Sequence, residues 1–247
     1  MNPSKVDLAV LNNVHWYESM FSAHGLSSEN DGRVWRSLAT PPPFHSNLVV
    51  IAPDLTETDI EAYAADIEKR RPKTGWSLKD SYAALDLSPL GCSMLFQADW
   101  IWHDPVLAAD ATSKAQLAWI RLAPPSSLAE WEKAWSGDTA NATESPQTRQ
   151  FPDSLLDSPD HAFFGGLLDG KILAGGIANR SPGAVGLSNI FSPPEFLGET
   201  WTQLVAAIAA AFPGAPIVGY ERGDDLNSAR SAGFVAIGKL RIWCRPA

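Results

Sequence analysis

The residues best placed by type and spacing to do chemistry form one run. It reads Val185-Gly-Leu-Ser-Asn-Ile-Phe191, then Ser192-Pro-Pro-Glu-Phe-Leu-Gly198-Glu-Thr200. The first segment has the composition of a strand. The second turns into an amphipathic stretch with Trp201, Leu204, Val205, Ile208 and Phe212 at helical spacing. A turn entering a helix leaves several backbone N–H groups free at the positive end of the helix dipole. That combination can hold a diphosphate without any basic side chain. A plainer reading competes on local pattern: Thr200 and Gln203 are spaced for a capping box, and Gly198 merely permits the turn.

Other motifs carry less. Gly165-Gly-Leu-Leu-Asp-Gly170-Lys171 has the spacing of a phosphate-cradling P-loop, but Ile172 stands where a hydroxyl must hold magnesium. Two apolar runs flank Asp169-Gly170, so a tight hairpin is the expected structure there. The five histidines, at 15, 24, 45, 103 and 161, show no metal-ligand spacing, and no metal site is expected. No Gly-x-Ser-x-Gly nucleophile elbow occurs. Cys92 and Cys244 cannot build a disulfide framework, and Cys92 reads as a buried structural thiol.

The elements that must position the run follow from periodicity and punctuation. Helices are expected over Val6–Ala23, Leu55–Arg71, Trp76–Leu87, from Pro124 through Trp135, and over Thr200–Phe212. Strands are expected at Arg33–Arg36, Leu48–Ile51, Ser93–Trp102, Leu117–Leu122, on both sides of Asp169-Gly170, and at Val185–Phe191, Ile217–Tyr220 and Val235–Trp243. This alternation predicts an α/β fold with a mixed sheet. Ala108–Lys114 reads as a linker, which places a boundary near residue 112 and two units, 1–112 and 113–247.

Composition narrows the partners. The chain of 247 residues is 45% hydrophobic and 19% charged, a globular balance that can bury a core. The net charge of −9 lacks the basic footprint of a nucleic-acid binder. No apolar run is long enough to span a membrane and no signal pattern opens the chain, so the expected location is the cytoplasm. The acidity is uneven. Residues 1–112 hold 8 basic against 15 acidic side chains, a net of −7, whereas residues 113–247 carry only −2.

The order of elements in residues 115–245 resembles the GNAT acetyltransferase superfamily: strand, helix, glycine-turn hairpin, core strand, phosphate loop into a helix, strand, short helix, last strand. The hairpin around Leu167-Leu-Asp-Gly-Lys-Ile-Leu-Ala-Gly175 and the ending Ala229-Arg-Ser-Ala-Gly-Phe234 are similar to recurrent patterns there. The resemblance implies a GNAT fold, with the first half a candidate degenerate second copy in tandem. It implies transfer of an acetyl group from acetyl-CoA to an amine of a small molecule or peptide. An inactive relative that binds an acyl-CoA or another metabolite as a sensor or interaction module is the alternative.

The resemblance also assigns residues. Ser188, Asn189, Ile190 and Phe191 on the core strand, with Leu197, Gly198, Glu199 and Thr200 in the loop, would bind the cofactor. Tyr220, Glu221 and Asp224 are the nearest candidates for proton transfer. The superfamily loop reads Arg/Gln-x-x-Gly-x-Gly/Ala, and here only Gly198 matches. Glu195 and Glu199 bring two carboxylates toward the diphosphate position. At 6–8 Å each charge pair would cost about 2–3 kcal/mol before salt screening. The acceptor groove is expected at the junction of the two halves, with Trp16, Trp35 and Trp76 as candidate lining.

Overall fold

The computed structural model describes residues 3–106, 115–137 and 149–247. The linker expected at 108–114, and with it the boundary near 112, lies outside the described residues. Helix α1 (Lys5–Ala23) opens the chain and is closed by a capping box between Ser4 and Asp7. Strands β1 (Ser28–Asn30), β2 (Val34–Ser37) and β3 (Leu48–Val50) follow. Helix α2 (Glu57–Arg70) carries a second capping box, Thr56 with Asp59, and ends on Lys69 and Arg70, which suit its negative end. Strands β4 (Trp76–Asp80) and β5 (Ser93–His103) complete the first half.

The second half runs β6 (Ala118–Arg121), α3 (Pro125–Ser136), β7 (His161–Leu168), β8 (Lys171–Ser181), β9 (Ala184–Phe191), α4 (Leu197–Ala211), β10 (Ile217–Glu221), α5 (Gly223–Ser231) and β11 (Val235–Arg245). The β7–β8 turn holds Asp169 at φ 50° and Gly170 at φ 79°, the two positive angles of the expected tight hairpin.

The eleven strands of the described residues share one sheet, in the order β1-β2-β3-β4-β11-β5-β10-β9-β8-β7-β6. Two parallel pairs stand on either side of its middle. One is β3 with β4, joined by α2; the other is β9 with β10, joined by α4. Between them the last strand of each half crosses to the other. β11 pairs with β4, β5 pairs with β10, and β11 and β5 pair antiparallel with each other from Val235↔Trp102 to Cys244↔Ser93. The result is a mixed α/β architecture of two β–α–β units related about the β11–β5 pair.

Strand alternation sorts the side chains into two layers. Ile101, Val185, Leu187 and Ile217 face Trp201, Leu204 and Ile208 of α4 and Leu226 of α5. Leu48, Val50, Leu78 and Trp76 face Ile60, Ala64 and Ile67 of α2. On the opposite face α1 lies across the middle of the sheet. Ala9 and Val10 cover Trp100, Val218 and Leu240, and Val14, Tyr17 and Phe21 cover Trp35 and Val49. Helix α3 continues that layer with Leu128 and Trp131 on Phe163 and Ile177.

Two expectations need correction. Trp76–Leu87 is not a helix: β4 occupies its first five residues, with Trp76 and Leu78 toward α2 and Lys79 toward α1. Trp76 and Leu78 alternate with Ser77 and Lys79, the period of a strand, and pairing with β3 and β11 realises it. Helix α4 begins at Leu197 and not at Thr200, because the 3-10 turn Pro194–Phe196 runs straight into it. Thr200 is therefore an interior residue, fully buried, whose hydroxyl donates to Ser192 Oγ at 2.9 Å. The capping box of the plainer reading does not form.

Because β11 lies between β4 and β5, neither half keeps its sheet without the other's last strand. Leu240 in β11 is fully buried beneath α1. Leu240→Ala is expected to cost about 2–5 kcal/mol. Near- and far-ultraviolet circular dichroism should report one coincident unfolding transition, and two separated transitions would show that the halves fold independently.

Candidate functional site

The parallel pair β9–β10 holds together for only two residues, Val185↔Ile217 and Gly186↔Val218, and then diverges. Strand β9 is also bulged. Gly175 of β8 faces Phe191 while Ile177 faces Ser188, so β9 carries one residue more than its partner, and Asn189 takes φ 53°. A bulge interrupts the ladder and re-aims the backbone, and a non-glycine residue at positive φ persists only where its surroundings hold it. Beside this divergence lies a cavity of about 250 Å³. Its walls are Gly186–Ile190 of β9 and Val218–Glu221 of β10. Asn12, Asn13, Trp16 and Tyr17 of α1 roof it, and Phe44, His45, Gln150 and Phe151 stand at the side.

Helix α1 is fixed over the cavity by a buried polar clasp. Asn12 Nδ2 donates to the Asn179 carbonyl at 3.0 Å and to Ser181 Oγ at 2.9 Å, while Asn179 Nδ2 donates back to the Asn12 carbonyl at 3.3 Å. The clasp needs glycine at 186, since a Cβ there would meet Asn12 Oδ1 and Asn179 Oδ1 inside contact distance.

Of the residues expected to do chemistry, Ser188, Asn189, Ile190, Tyr220 and Glu221 line this one cavity. Phe191 closes the same strand, its ring edge on Trp131 at 5.1 Å. Leu197, Gly198, Glu199 and Thr200 form the first turn of α4, which follows β9 and has no side-chain cap. Asp224 does not join the cavity; it is exposed in the first turn of α5. Trp16 is a wall, whereas Trp35 packs between Tyr17 and Phe21, and Trp76 is buried under α2.

The two loop carboxylates have other surroundings than proximity in sequence implied. Glu199 accepts from the Gln116 and Leu117 amides at 2.9 Å each, tying the start of β6 to α4. Glu195 is exposed.

Burial and partners tune the titratable groups around the cavity. Glu221 is pushed up to about 8 by burial, reinforced by Asp225. Burial likewise raises the Tyr220 phenol well above its ordinary value. His45 is brought down to about 4 by burial, and its Nδ1 pairs with the Pro43 carbonyl at 2.9 Å. With that ring neutral, Nδ1 carries the proton and Nε2 keeps its lone pair.

Lys79 was not singled out in the sequence. It is 1% exposed, its Nζ donates to Asn13 Oδ1 at 2.8 Å, and it sits over the rings of Tyr17 (4.9 Å) and Tyr220 (4.4 Å). Burial lowers it to about 7. Reading Trp76–Leu87 as a helix hid it; a lysine inside an apolar, alternating strand was the available signal. Asn12 and Asn13, two poor helix formers in mid-helix, were the signal for the roof. Among the described residues no cluster of three or more His, Cys, Asp or Glu could hold a metal ion, and no helix is long and apolar enough to cross a membrane.

No family model and no curated protein matches the chain. Solved structures do. A conserved protein of unknown function from Staphylococcus epidermidis superposes with a TM-score of 0.65 at 10% identity, covering 89% of this chain and 94% of that one. A GCN5-related N-acetyltransferase from Kribbella flavida gives 0.61 at 13%, covering 96% and 95%. A tandem GNAT protein from the clavulanic acid biosynthesis pathway gives 0.56 at 13%, covering 80% and 73%. The chain has the GNAT fold, and its doubled plan is similar to that of a tandem GNAT protein.

The clasp is open to test. Gly186→Ala forces Asn12 and Asn179 apart and is expected to cost about 1–3 kcal/mol. The expected reading is a lower urea midpoint with an unchanged m-value; an unchanged midpoint would mean that α1 is held by its apolar face alone.

Proposed function

We propose that the protein transfers an acetyl group from acetyl-CoA to the amine of a small molecule or peptide, in the cavity where β9 and β10 diverge. The observation that carries this reading is the convergence of the bulged strand Ser188–Ile190 with Glu221 on one small cavity in a GNAT fold. The residues present fit the co-substrate. The first turn of α4 has no side-chain cap; its Leu197 N–H is spent on the Pro194 carbonyl, and the amides that follow are the ones that would meet a diphosphate. Glu199 is engaged by two other amides and Glu195 reaches solvent, which lessens the repulsion their positions would otherwise cause. Leu197–Thr200 would hold the diphosphate and the backbone of Ser188–Phe191 the pantetheine.

Acetyl-CoA would supply the acyl carbon as a thioester, so that one C–S bond breaks for each C–N bond formed, and of the two protons lost by the acceptor ammonium one ends on the thiol and one reaches solvent. Glu221 is the group that takes a proton from the ammonium, leaving nitrogen with a free lone pair. Its raised affinity for protons makes its carboxylate a stronger base than an exposed glutamate. Tyr220, protonated throughout the neutral range, is the hydrogen-bond donor on the opposite side of β10. Lys79 behind it is the nearest cation, 3.4 Å from the phenol oxygen.

A second reading, binding of an acyl-CoA without turnover, draws on α5: its sequence Leu226-Asn-Ser-Ala-Arg-Ser-Ala232 has no tyrosine where the superfamily often places its general acid. Thermal shift addresses both. Binding to the folded state stabilises by RT ln(1 + [L]/Kd), about 2.7 kcal/mol at a hundredfold excess over Kd. No shift with millimolar acetyl-CoA sinks both readings; a shift without thiol release across a panel of amines leaves the sensor.

The pH profile tests the base. Since Glu221 titrates at about 8 and works deprotonated, kcat/KM should climb with pH and level off above about 8. Glu221→Gln should lower it by about 10²–10⁴-fold and abolish that limb. A limb that survives the substitution assigns the base elsewhere.

A further inference from the structure

We propose that the acceptor is an arylalkylamine, an aromatic ring joined by a short chain to a primary amine, whose ring is received by Phe44 at the cavity mouth. The transfer half of this proposal rests on the acyl-transfer reading above; the binding half does not.

Phe44 is 82% exposed, more than any other large apolar side chain among the described residues. Its backbone sits at φ 66°, a region that bulky residues avoid. The angle is that of the third residue of a turn closed by His45 N on the Pro42 carbonyl, but the exposure has no packing role, since Phe44 belongs to no core cluster. The surroundings nevertheless hold it firmly. Three prolines, 41–43, precede it, and His45 N donates to the Pro42 carbonyl at 3.2 Å. The Pro43 carbonyl accepts from both His45 Nδ1 at 2.9 Å and Gln150 Nε2 at 3.1 Å.

So fixed, the Phe44 ring meets Trp135 edge-on at 5.7 Å, and Trp135 meets Phe151 at 5.2 Å. Phe44 and Phe151 both belong to the cavity wall. A row of rings ending in one exposed face is a surface for stacking another ring. The remaining walls admit an amine without a repelling charge. Glu221 is the sole acidic residue among them, no lysine or arginine joins it, and Lys79 lies behind Asn13, Tyr17 and Tyr220. A cavity of about 250 Å³ is small beside the ~300–1,000 Å³ of sites for drug-sized ligands, which suits a compact amine.

The experiment compares 2-phenylethylamine with n-butylamine on the full chain. Isothermal titration should show the aromatic amine binding about tenfold more tightly, the scale of one aromatic contact. Phe44→Ala should remove that preference with an unchanged urea midpoint, because the side chain is exposed. With acetyl-CoA present, transfer to 2-phenylethylamine should show a KM about tenfold lower than transfer to n-butylamine, and Phe44→Ala should erase the difference in KM. Equal binding of the two amines, binding of neither, or a preference that survives Phe44→Ala overturns the proposal. A Phe44-dependent binding preference without acetyl transfer supports the aromatic site and overturns the acyl-transfer reading instead.

Discussion

The pairing of β11 with β5 is the constraint from which the rest of the molecule follows. Each strand ends one half of the chain, and each is hydrogen-bonded on its outer edge to the other half, β11 to β4 and β5 to β10. Strand pairing consumes backbone donors and acceptors that would otherwise be left unmet in the middle of a buried sheet. The two β–α–β units are thereby locked into one sheet of eleven strands, and α1 finds a continuous floor to lie across. Its residues cover β5, β10 and β11 at one end and β2 and β3 at the other. The roof of the cavity is thus a first-half helix over second-half strands.

What opens the cavity is the release of a second pairing. After Gly186↔Val218 the parallel strands β9 and β10 separate, and the sheet cannot close the gap because β10 is already engaged by β5 on its other edge. Alternation along β10 then puts Tyr220 on the α1 side, against Trp100 and Lys79, and turns Glu221 toward Asp225 at the start of α5. Two neighbours in sequence thus bring opposite chemistry to one gap. The phenol is held protonated, and the carboxyl is held near the point of losing its proton.

Legibility in the sequence was greatest where local rules suffice. Asp169-Gly170 demanded its turn, the helix expected over Leu55–Arg71 matches α2 to within two residues, and the strand at Val185–Phe191 was plain from composition. The bulge at Asn189 was not legible, since nothing local distinguishes an asparagine at positive φ from one in a regular strand. The wall residues of the first half were the larger loss. Asn12, Asn13, His45 and Lys79 are separated from Tyr220 by more than 140 residues, and only the crossing of β11 and β5 brings them together. In Trp76-Ser-Leu-Lys-Asp80 the alternation of a strand spans only five residues, and taking it as the start of a helix moved Lys79 out of view. Glu199 has a role that its proximity in sequence to the α4 turn did not suggest: its carboxylate accepts from the amides that lead into β6.

The overall charge of −9 gives little guide to the field inside the cavity. Burial works on both signs there, drawing Lys79 down to about 7 and Glu221 up to about 8. Both shifts run toward the uncharged form, so each fixed charge is weakened where desolvation makes charge most costly. His45, brought down to about 4, is neutral as well. Such an interior does not attract a cation as strongly as the acidic surface does. For the proposed acceptor it instead favours loss of the ammonium proton, because the neutral amine is the form that a weakly charged, partly apolar cavity solvates best. Under the same proposal, long-range attraction would belong to the exposed carboxylates of the first half, and proton loss to Glu221 at the divergence of β9 and β10.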